Sequence, residues 1–178
     1  MVDFAHLLDR MLQGAAPYLI AAAVILWAIA FGASAVQTWR QPFGAGSRPP
    51  RIFFRAATAF LVIVLGICAA GIFIGQAALD ELRPRLNAPV GDVLVDGTPI
   101  GAAEPLVAAL RGIEAHRYHH SHPTASFRVQ LQTSEGPLEL TLRRDSTEPR
   151  EYWVYYRGFN ATEINDVGAV VTGALDGR

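Results

Sequence analysis

The sequence has no lysine, a single cysteine, and two long stretches without any charge. All 15 basic residues are arginine, and residues 11–39 and 56–79 contain no acidic or basic residue. Because Cys68 has no second cysteine to pair with, an intramolecular disulfide is excluded, and any globular part must be held together by its own core. The formal net charge of −1 gives no indication of nucleic-acid binding, so we expect no nucleic-acid partner.

The two uncharged stretches are long enough to cross a membrane. About 20 apolar residues in helical conformation span about 30 Å of hydrocarbon. Residues 15–36 and 56–79 meet that length, and a helix satisfies their backbone groups within lipid. We therefore predict two transmembrane helices with the lipid bilayer as a partner. An amphipathic helix over residues 1–14 precedes them, either lying in the membrane interface or extending the first span.

The arginines predict the orientation of the two spans. The segment between them, residues 37–55, carries four arginines and no acidic residue. Basic loops stay in the cytoplasm, which leaves both termini outside. Heavy use of Ala, Gly and Arg is typical of a GC-rich genome, so we expect a multi-pass protein of a bacterial inner membrane. The alternative is a signal peptide cleaved at Ala33-Ser34-Ala35, but the first ten residues are acidic on balance.

Small residues within the spans predict helix packing. Close helix approach favours small residues four apart, and the candidates are Ala28, Gly32, Gly66, Gly71 and Gly75. The two spans then pack as an antiparallel hairpin, or a homodimer forms through Gly71 and Gly75. A third possibility is an accessory subunit that docks onto a larger membrane complex. Transport by this chain alone is disfavoured, because neither span contains a charged residue.

Residues 91–178, after a linker over residues 80–90, have the patterns of a small domain. Asp96-Gly97 is a tight-turn signal within a first hairpin, and residues 104–113 have helical spacing. Apolar residues alternate with polar ones over 127–132 and again over 138–143, which predicts a second hairpin. Residues 152–156 form a further strand that is aromatic on both faces.

The last predicted element is a helix that begins after Asn160. Asn160 is followed three residues later by Glu163, as in a capping box. Its apolar stripe comprises Ile164, Val167, Val171, Ala174 and Leu175. The predicted fold is thus a membrane α-helical hairpin plus an extracytoplasmic α+β domain with an antiparallel sheet, in the order ββ-α-βββ-α.

A histidine cluster is one candidate site in this domain. His116, His119, His120 and His122 fall within seven residues. On a continued helix the first three share one face, which suits Zn²⁺ or Cu²⁺, and several imidazoles near neutrality also suit pH sensing. The alternative is a polar loop before Pro123, because no carboxylate or cysteine accompanies the histidines in a known metal motif. Without that site, no cofactor is expected.

Arginine beside aromatic residues is the second candidate site. Arg144, Trp153 and Tyr155 can form a contact surface for a partner protein or an envelope ligand. The same Asp- and Pro-containing segment also suits a plain turn. No nucleophile elbow, phosphate-binding loop or paired carboxylate motif occurs. We therefore expect a non-enzymatic membrane protein with a binding domain, and a metal- or pH-sensing domain as the alternative.

Overall fold

The computed structural model describes residues 1–40, 51–114 and 121–178. Within these residues there are four helices and six strands. The elements are α1 (Val2–Arg40), α2 (Arg51–Asn87), β1 (Val90–Val95), β2 (Thr98–Pro99), α3 (Glu104–Arg111), β3 (Pro123–Thr133), β4 (Gly136–Asp145), β5 (Glu151–Tyr156), α4 (Ala161–Ile164) and β6 (Gly168–Val171). The chain divides into two compact units, one comprising Met1–Asp9 with Phe73–Arg178 and the other Arg10–Ile72.

The described residues of the unit Arg10–Ile72 are helical, and their large apolar side chains are mostly uncovered. Tyr18 is 77% exposed and Val62 is 63% exposed, whereas Ala23 and Ala30 are at most 3% exposed. Two helical stretches, Val2–Gly32 and Phe54–Asn87, are long and apolar enough to cross a membrane. In the most apolar part of each stretch few residues are buried within the described chain, which differs from the core helix of a soluble protein.

The glycines of the predicted packing faces lie in open space. A Cβ added at Gly32, Gly66, Gly71 or Gly75 would meet no atom within 4 Å, and Ala28 is exposed. Among the described side chains of α1, the buried small residues are instead Ala5, Ala23 and Ala30. Packing through the four glycines against another helix stays a prediction.

The C-terminal part is an antiparallel sheet in the order β2-β1-β3-β4-β5-β6. The predicted second hairpin is present, with Val129 paired to Leu140 and Leu131 to Leu138. Alternate side chains along the strands lie on opposite faces of a sheet. The set that we call the inner face is at most 5% exposed and comprises Val93, Val95, Phe127, Val129, Leu131, Leu138, Leu140, Leu142, Tyr152, Val154 and Tyr156. This set forms the core of the domain.

Helix α2 continues past the predicted end of the second span. Residues 80–87, for which we predicted part of a linker, are helical in spite of Pro84. Leu79, Leu82 and Leu86 are at most 2% exposed. The Nε of Arg111 in α3 donates a hydrogen bond of 3.0 Å to the carbonyl oxygen of Leu86. The apolar side of this last part of α2 therefore belongs to the domain core, which offsets the loss of a backbone donor at proline.

The predicted final helix is wrong beyond its first turn. Helix α4 ends at Ile164, and Gly168–Val171 form strand β6, paired with β5 through Val154–Gly168 and Tyr152–Val170. Three valines in or beside this segment favour a strand. Its apolar run is short enough to fit the period of a helix or that of a strand, which is why the sequence pattern was misleading. Gly168 is required there, because a Cβ at this residue would lie 2.1 Å from the carbonyl oxygen of Glu114.

The N-terminus of α4 is capped by Asp9 and not by Asn160. The side chain of Asn160 makes no capping hydrogen bond. The Asp9 carboxylate accepts hydrogen bonds from the backbone N–H of Asn160 at 2.7 Å and of Ala161 at 2.9 Å. It also accepts one from the Asn160 amide at 3.0 Å. A carboxylate from α1 thus supplies the acceptor that helix N-termini require.

Candidate functional site

The side of the sheet opposite the core is polar, and we call it the outer face. Strand β3 contributes Ser126, Arg128 and Gln130, strand β4 contributes Glu139, Thr141 and Arg143, and strand β5 contributes Trp153 and Tyr155. The backbone register defines rows across these strands. Arg128 pairs with Thr141, and Thr141 pairs with Tyr155. In the next row, Arg143 lies between Ser126 and Trp153.

An open groove of ≈ 570 Å³ lies along this face. Its walls carry the three guanidinium groups of Arg128, Arg143 and Arg157. Hydroxyl and amide groups of Ser126, Thr141 and Gln130 line it as well, as do Asp96 and Gly97. The groove therefore combines positive charge with neutral hydrogen-bonding groups, a composition that suits an anionic or polar ligand.

Two of these arginines share one carboxylate. Nε of Arg128 lies 3.5 Å from Oε1 of Glu139, and Nη1 of Arg157 lies 3.4 Å from the same oxygen. Both arginine side chains are 58% exposed, so each ion pair contributes little to stability. The two guanidinium groups are therefore open to solvent, although the carboxylate oxygen that they share is buried.

Arg143 is held by an aromatic ring. Its guanidinium carbon lies 4.2 Å from the centre of the Tyr155 ring, within the range of a cation–π contact. Burial raises the pKa of the Tyr155 hydroxyl, while the positive charge of Arg143 opposes that rise. Tyr155 is therefore neutral at physiological pH and presents its ring face to the arginine.

The structure brings together two of the three residues that the sequence suggested for binding. Trp153 and Tyr155 share the outer face, but Arg144 lies on the side of the core, in register with Tyr152. The Arg144 guanidinium donates to the Tyr152 hydroxyl at 3.2 Å and to the carbonyl oxygen of Leu175 at 2.8 Å. Arg144 therefore holds the C-terminal segment against the sheet. Whether Trp153 and Tyr155 bind a partner stays a prediction.

Arg128, Arg143 and Arg157 were not among the predicted site residues. The alternation of polar and apolar residues in the second hairpin could have identified Arg128 and Arg143, because both occupy polar positions on the face that does not carry the leucines. The same alternation places Arg144 with Leu140 and Leu142. Arg157 follows the end of β5, and nothing in its neighbourhood indicates that it returns to the groove.

Most of the histidine cluster lies outside the described residues. His116, His119 and His120 fall in the segment 115–120, which is not described. The backbone N–H of His122 donates to the Ser146 hydroxyl at 3.3 Å. Within residues 1–40, 51–114 and 121–178, no three His, Cys, Asp or Glu side chains form a group that could hold a metal ion. Metal binding and pH sensing by the cluster stay predictions.

A second polar group, which we call the His6 cluster, is formed by His6, Glu81, Arg85 and Tyr156. Nε2 of His6 lies 2.9 Å from Oε2 of Glu81, and the Tyr156 hydroxyl donates to Oε1 of Glu81 at 2.5 Å. Arg85 donates to the Tyr156 hydroxyl at 3.1 Å and to the carbonyl oxygen of Pro137 at 2.7 Å. The cluster joins α1, α2 and the sheet through satisfied hydrogen bonds.

The His6 ring is also stacked on an aromatic ring of the domain. Its centre lies 4.0 Å from that of Phe159, with 4° between the ring planes. Burial and the hydrogen bond to Glu81 raise the pKa of Tyr156 to about 12. These contacts are tight and internally satisfied, which is typical of a structural connection and leaves the outer face as the better candidate site.

Comparison with known proteins found no matching family model, no matching curated protein and no matching solved structure. Function is therefore inferred from the residues of this chain alone.

Proposed function

We propose that this chain is a non-enzymatic protein of a bacterial inner membrane whose C-terminal domain binds a partner protein or an envelope ligand. The observation that carries the proposal is the contrast between the two sides of the sheet. The inner face is a closed apolar core. The outer face presents arginines and two aromatic residues beside an open groove.

Anchoring in a membrane is supported by the uncovered helices. Apolar side chains such as those of Ile25 and Leu65, each 58% exposed, are largely uncovered in the described chain. Exposed apolar surface on this scale is unfavourable in water and favourable in lipid. At the N-terminus, Phe4 and Met11 are 59% and 62% exposed, which agrees with a position in the membrane interface.

The orientation of the domain is supported by the contacts of the first nine residues. His6 and Asp9 bind directly to Glu81 and Asn160, so the N-terminus and the C-terminal domain lie on one side of any bilayer. Two spans with a basic connecting segment give the same result, with both termini outside the cytoplasm.

Alkaline phosphatase fused after Arg178 tests this orientation. The fusion is expected to be active, because the enzyme needs an extracytoplasmic location. A well-expressed but inactive fusion, together with an active fusion inserted after Gln41, would contradict the proposed topology.

Partner binding is tested by purification in mild detergent, followed by mass spectrometry of the proteins that remain bound. We expect at least one near-stoichiometric partner for the native chain, and its loss with Trp153→Ala. Arg150→Gln is a matched control, because Arg150 lies in the turn before β5 and its side chain is 70% exposed. If both variants, confirmed as folded by circular dichroism, retain every partner, the outer face is not the contact surface.

A further inference from the structure

Two arginines of the outer face are neighbours of one neutral residue, Thr141. Thr141 lies on the central strand of three, β4, and pairs with Arg128 on β3 and with Tyr155 on β5. Arg143 lies two residues further along the same strand and therefore on the same face. Directly paired side chains in an antiparallel sheet have Cβ atoms about 4.5–5.5 Å apart. The backbone therefore fixes the positions from which these side chains extend.

The two exposed arginines of this array are close to each other. Because Arg128 and Arg157 both contact Oε1 of Glu139, at 3.5 Å and 3.4 Å, their contacting nitrogens are at most about 7 Å apart. Like charges at that distance repel unless an anion lies between or beside them. Glu139 provides one such anion, but one carboxylate neutralises only one of the two cations.

The third arginine packs against an aromatic ring. Arg143 contacts Tyr155 through a cation–π interaction. Asp96 accepts a hydrogen bond of 2.8 Å from the backbone N–H of Arg128. The groove is thus lined by three guanidinium groups, and two carboxylates beside them, Glu139 and Asp96, already accept hydrogen bonds or ion pairs.

From this arrangement we infer that the groove binds a phosphate group, carried either by a soluble phosphate ester or by a lipid headgroup. Guanidinium forks match the oxygens of phosphate, and its negative charge complements the arginines that line the groove. A carboxylate has only two oxygens to share among three arginines, whereas phosphate has more. The hydroxyls of Ser126 and Thr141 and the amide of Gln130 supply further donors. This inference deepens the proposed binding function and depends on it.

Calorimetry on the full chain in a maltoside detergent, which contains no phosphate, tests the inference. The first arm titrates inorganic phosphate and pyrophosphate, with acetate as the carboxylate comparison. The second arm adds short-chain phosphatidic acid to the micelles, with the matching diacylglycerol as the comparison that lacks phosphate. Binding in the first arm alone indicates a soluble ester, and preference for phosphatidic acid over free phosphate indicates a lipid headgroup.

Three variants test the role of individual side chains. Arg128→Gln and Arg143→Gln are each expected to weaken phosphate binding by about tenfold, because each removes a charge-assisted hydrogen bond. Thr141→Val removes one neutral donor and is expected to weaken it by about threefold. Arg150→Gln, the exposed arginine outside the groove, is expected to leave the affinity unchanged.

Two results would overturn the inference. One is equal phosphate affinity for the native chain and an Arg128→Gln, Arg143→Gln double variant that keeps its circular dichroism spectrum. The other is dissociation constants no tighter than about 10 mM for every phosphate compound. If the native chain still loses a protein partner through Trp153→Ala while binding no phosphate, the proposed function stands and the phosphate site does not.

Discussion

The outer face and the His6 cluster use the same residue types with opposite results. Both contain arginine, tyrosine and glutamate. On the outer face, Arg128 and Arg157 contact Glu139 at 3.4–3.5 Å and remain 58% exposed. In the His6 cluster, Glu81 accepts at 2.5 Å from Tyr156, which is only 4% exposed. The partly buried groups of the His6 cluster satisfy one another and form a structural connection, whereas the two exposed guanidinium groups of the outer face are available to a ligand.

The largest effect on stability is expected from replacing Asp9, which joins α1 to the N-terminus of α4. Asp9 is 4% exposed and accepts three hydrogen bonds. Asp9→Ala leaves two partly buried backbone N–H groups without this acceptor, so we expect the free energy of unfolding to fall by about 1–2 kcal/mol. Denaturant unfolding in detergent, followed by near-ultraviolet circular dichroism, measures this change.

Asp3→Ala is the matched control for Asp9→Ala. Asp3 lies in the same helix but is exposed, and its loss is expected to change stability by no more than about 0.5 kcal/mol. Equal effects of the two substitutions would show that Asp9 does not cap α4.

The next largest effect is expected from Tyr156→Phe in the His6 cluster. It removes the donor to Glu81 and the acceptor of Arg85. The resulting loss is about 1–2 kcal/mol, because Glu81 keeps His6 as a partner. Unfolding at pH 7 in the same detergent measures it. A phenylalanine variant as stable as the native chain would argue that the cluster contributes nothing to the connection.

The raised pKa of Tyr156 also predicts that stability depends on pH above 10. Its pKa is raised from 10.0 to about 12 in the folded chain. The folded state holds the proton more tightly than the unfolded state, so this stabilisation is complete below pH 10 and is lost as the pH rises through 12. The difference in stability between the native chain and Tyr156→Phe is therefore expected to shrink across that interval. A constant difference would contradict the raised pKa.

A smaller effect is expected from Arg143→Lys on the outer face. Lysine keeps the charge but loses the planar group that lies over Tyr155. We expect a loss of about 0.5–1 kcal/mol, together with weaker phosphate binding than in the native chain. A lysine variant that binds phosphate as well as the native chain would show that charge alone determines binding there.

The smallest effect on stability is expected from Glu139→Gln. Its effect on phosphate binding is expected to be opposite to that of Arg143→Lys. The carboxylate is 36% exposed and pairs with two exposed arginines, so its loss changes stability by less than about 1 kcal/mol. Phosphate affinity is expected to rise about two- to fivefold, because Glu139 competes with the ligand for Arg128 and Arg157. Calorimetry that shows weaker binding would mean that Glu139 positions the arginines instead of competing for them.

Part of the candidate site could be predicted from the sequence. Alternation in the second hairpin was sufficient to separate Arg143 from Arg144, because a strand has a period of two. Strand β5 was ambiguous, since tyrosine, tryptophan and valine suit either side of a sheet. Only its pairing with β4 places Trp153 beside Arg143 and Tyr152 beside Arg144.

The sequence by itself determined the two long apolar helices, the turn at Asp96-Gly97 and the second hairpin. Each depends on neighbouring residues, through length, period or turn preference. Tertiary structure decided that Asp9 caps a helix 151 residues away, that Gly168–Val171 form a strand, and that Arg157 joins the groove. These features depend on partners distant in the chain, and the free energy of those contacts outweighs the weak local preferences of short segments.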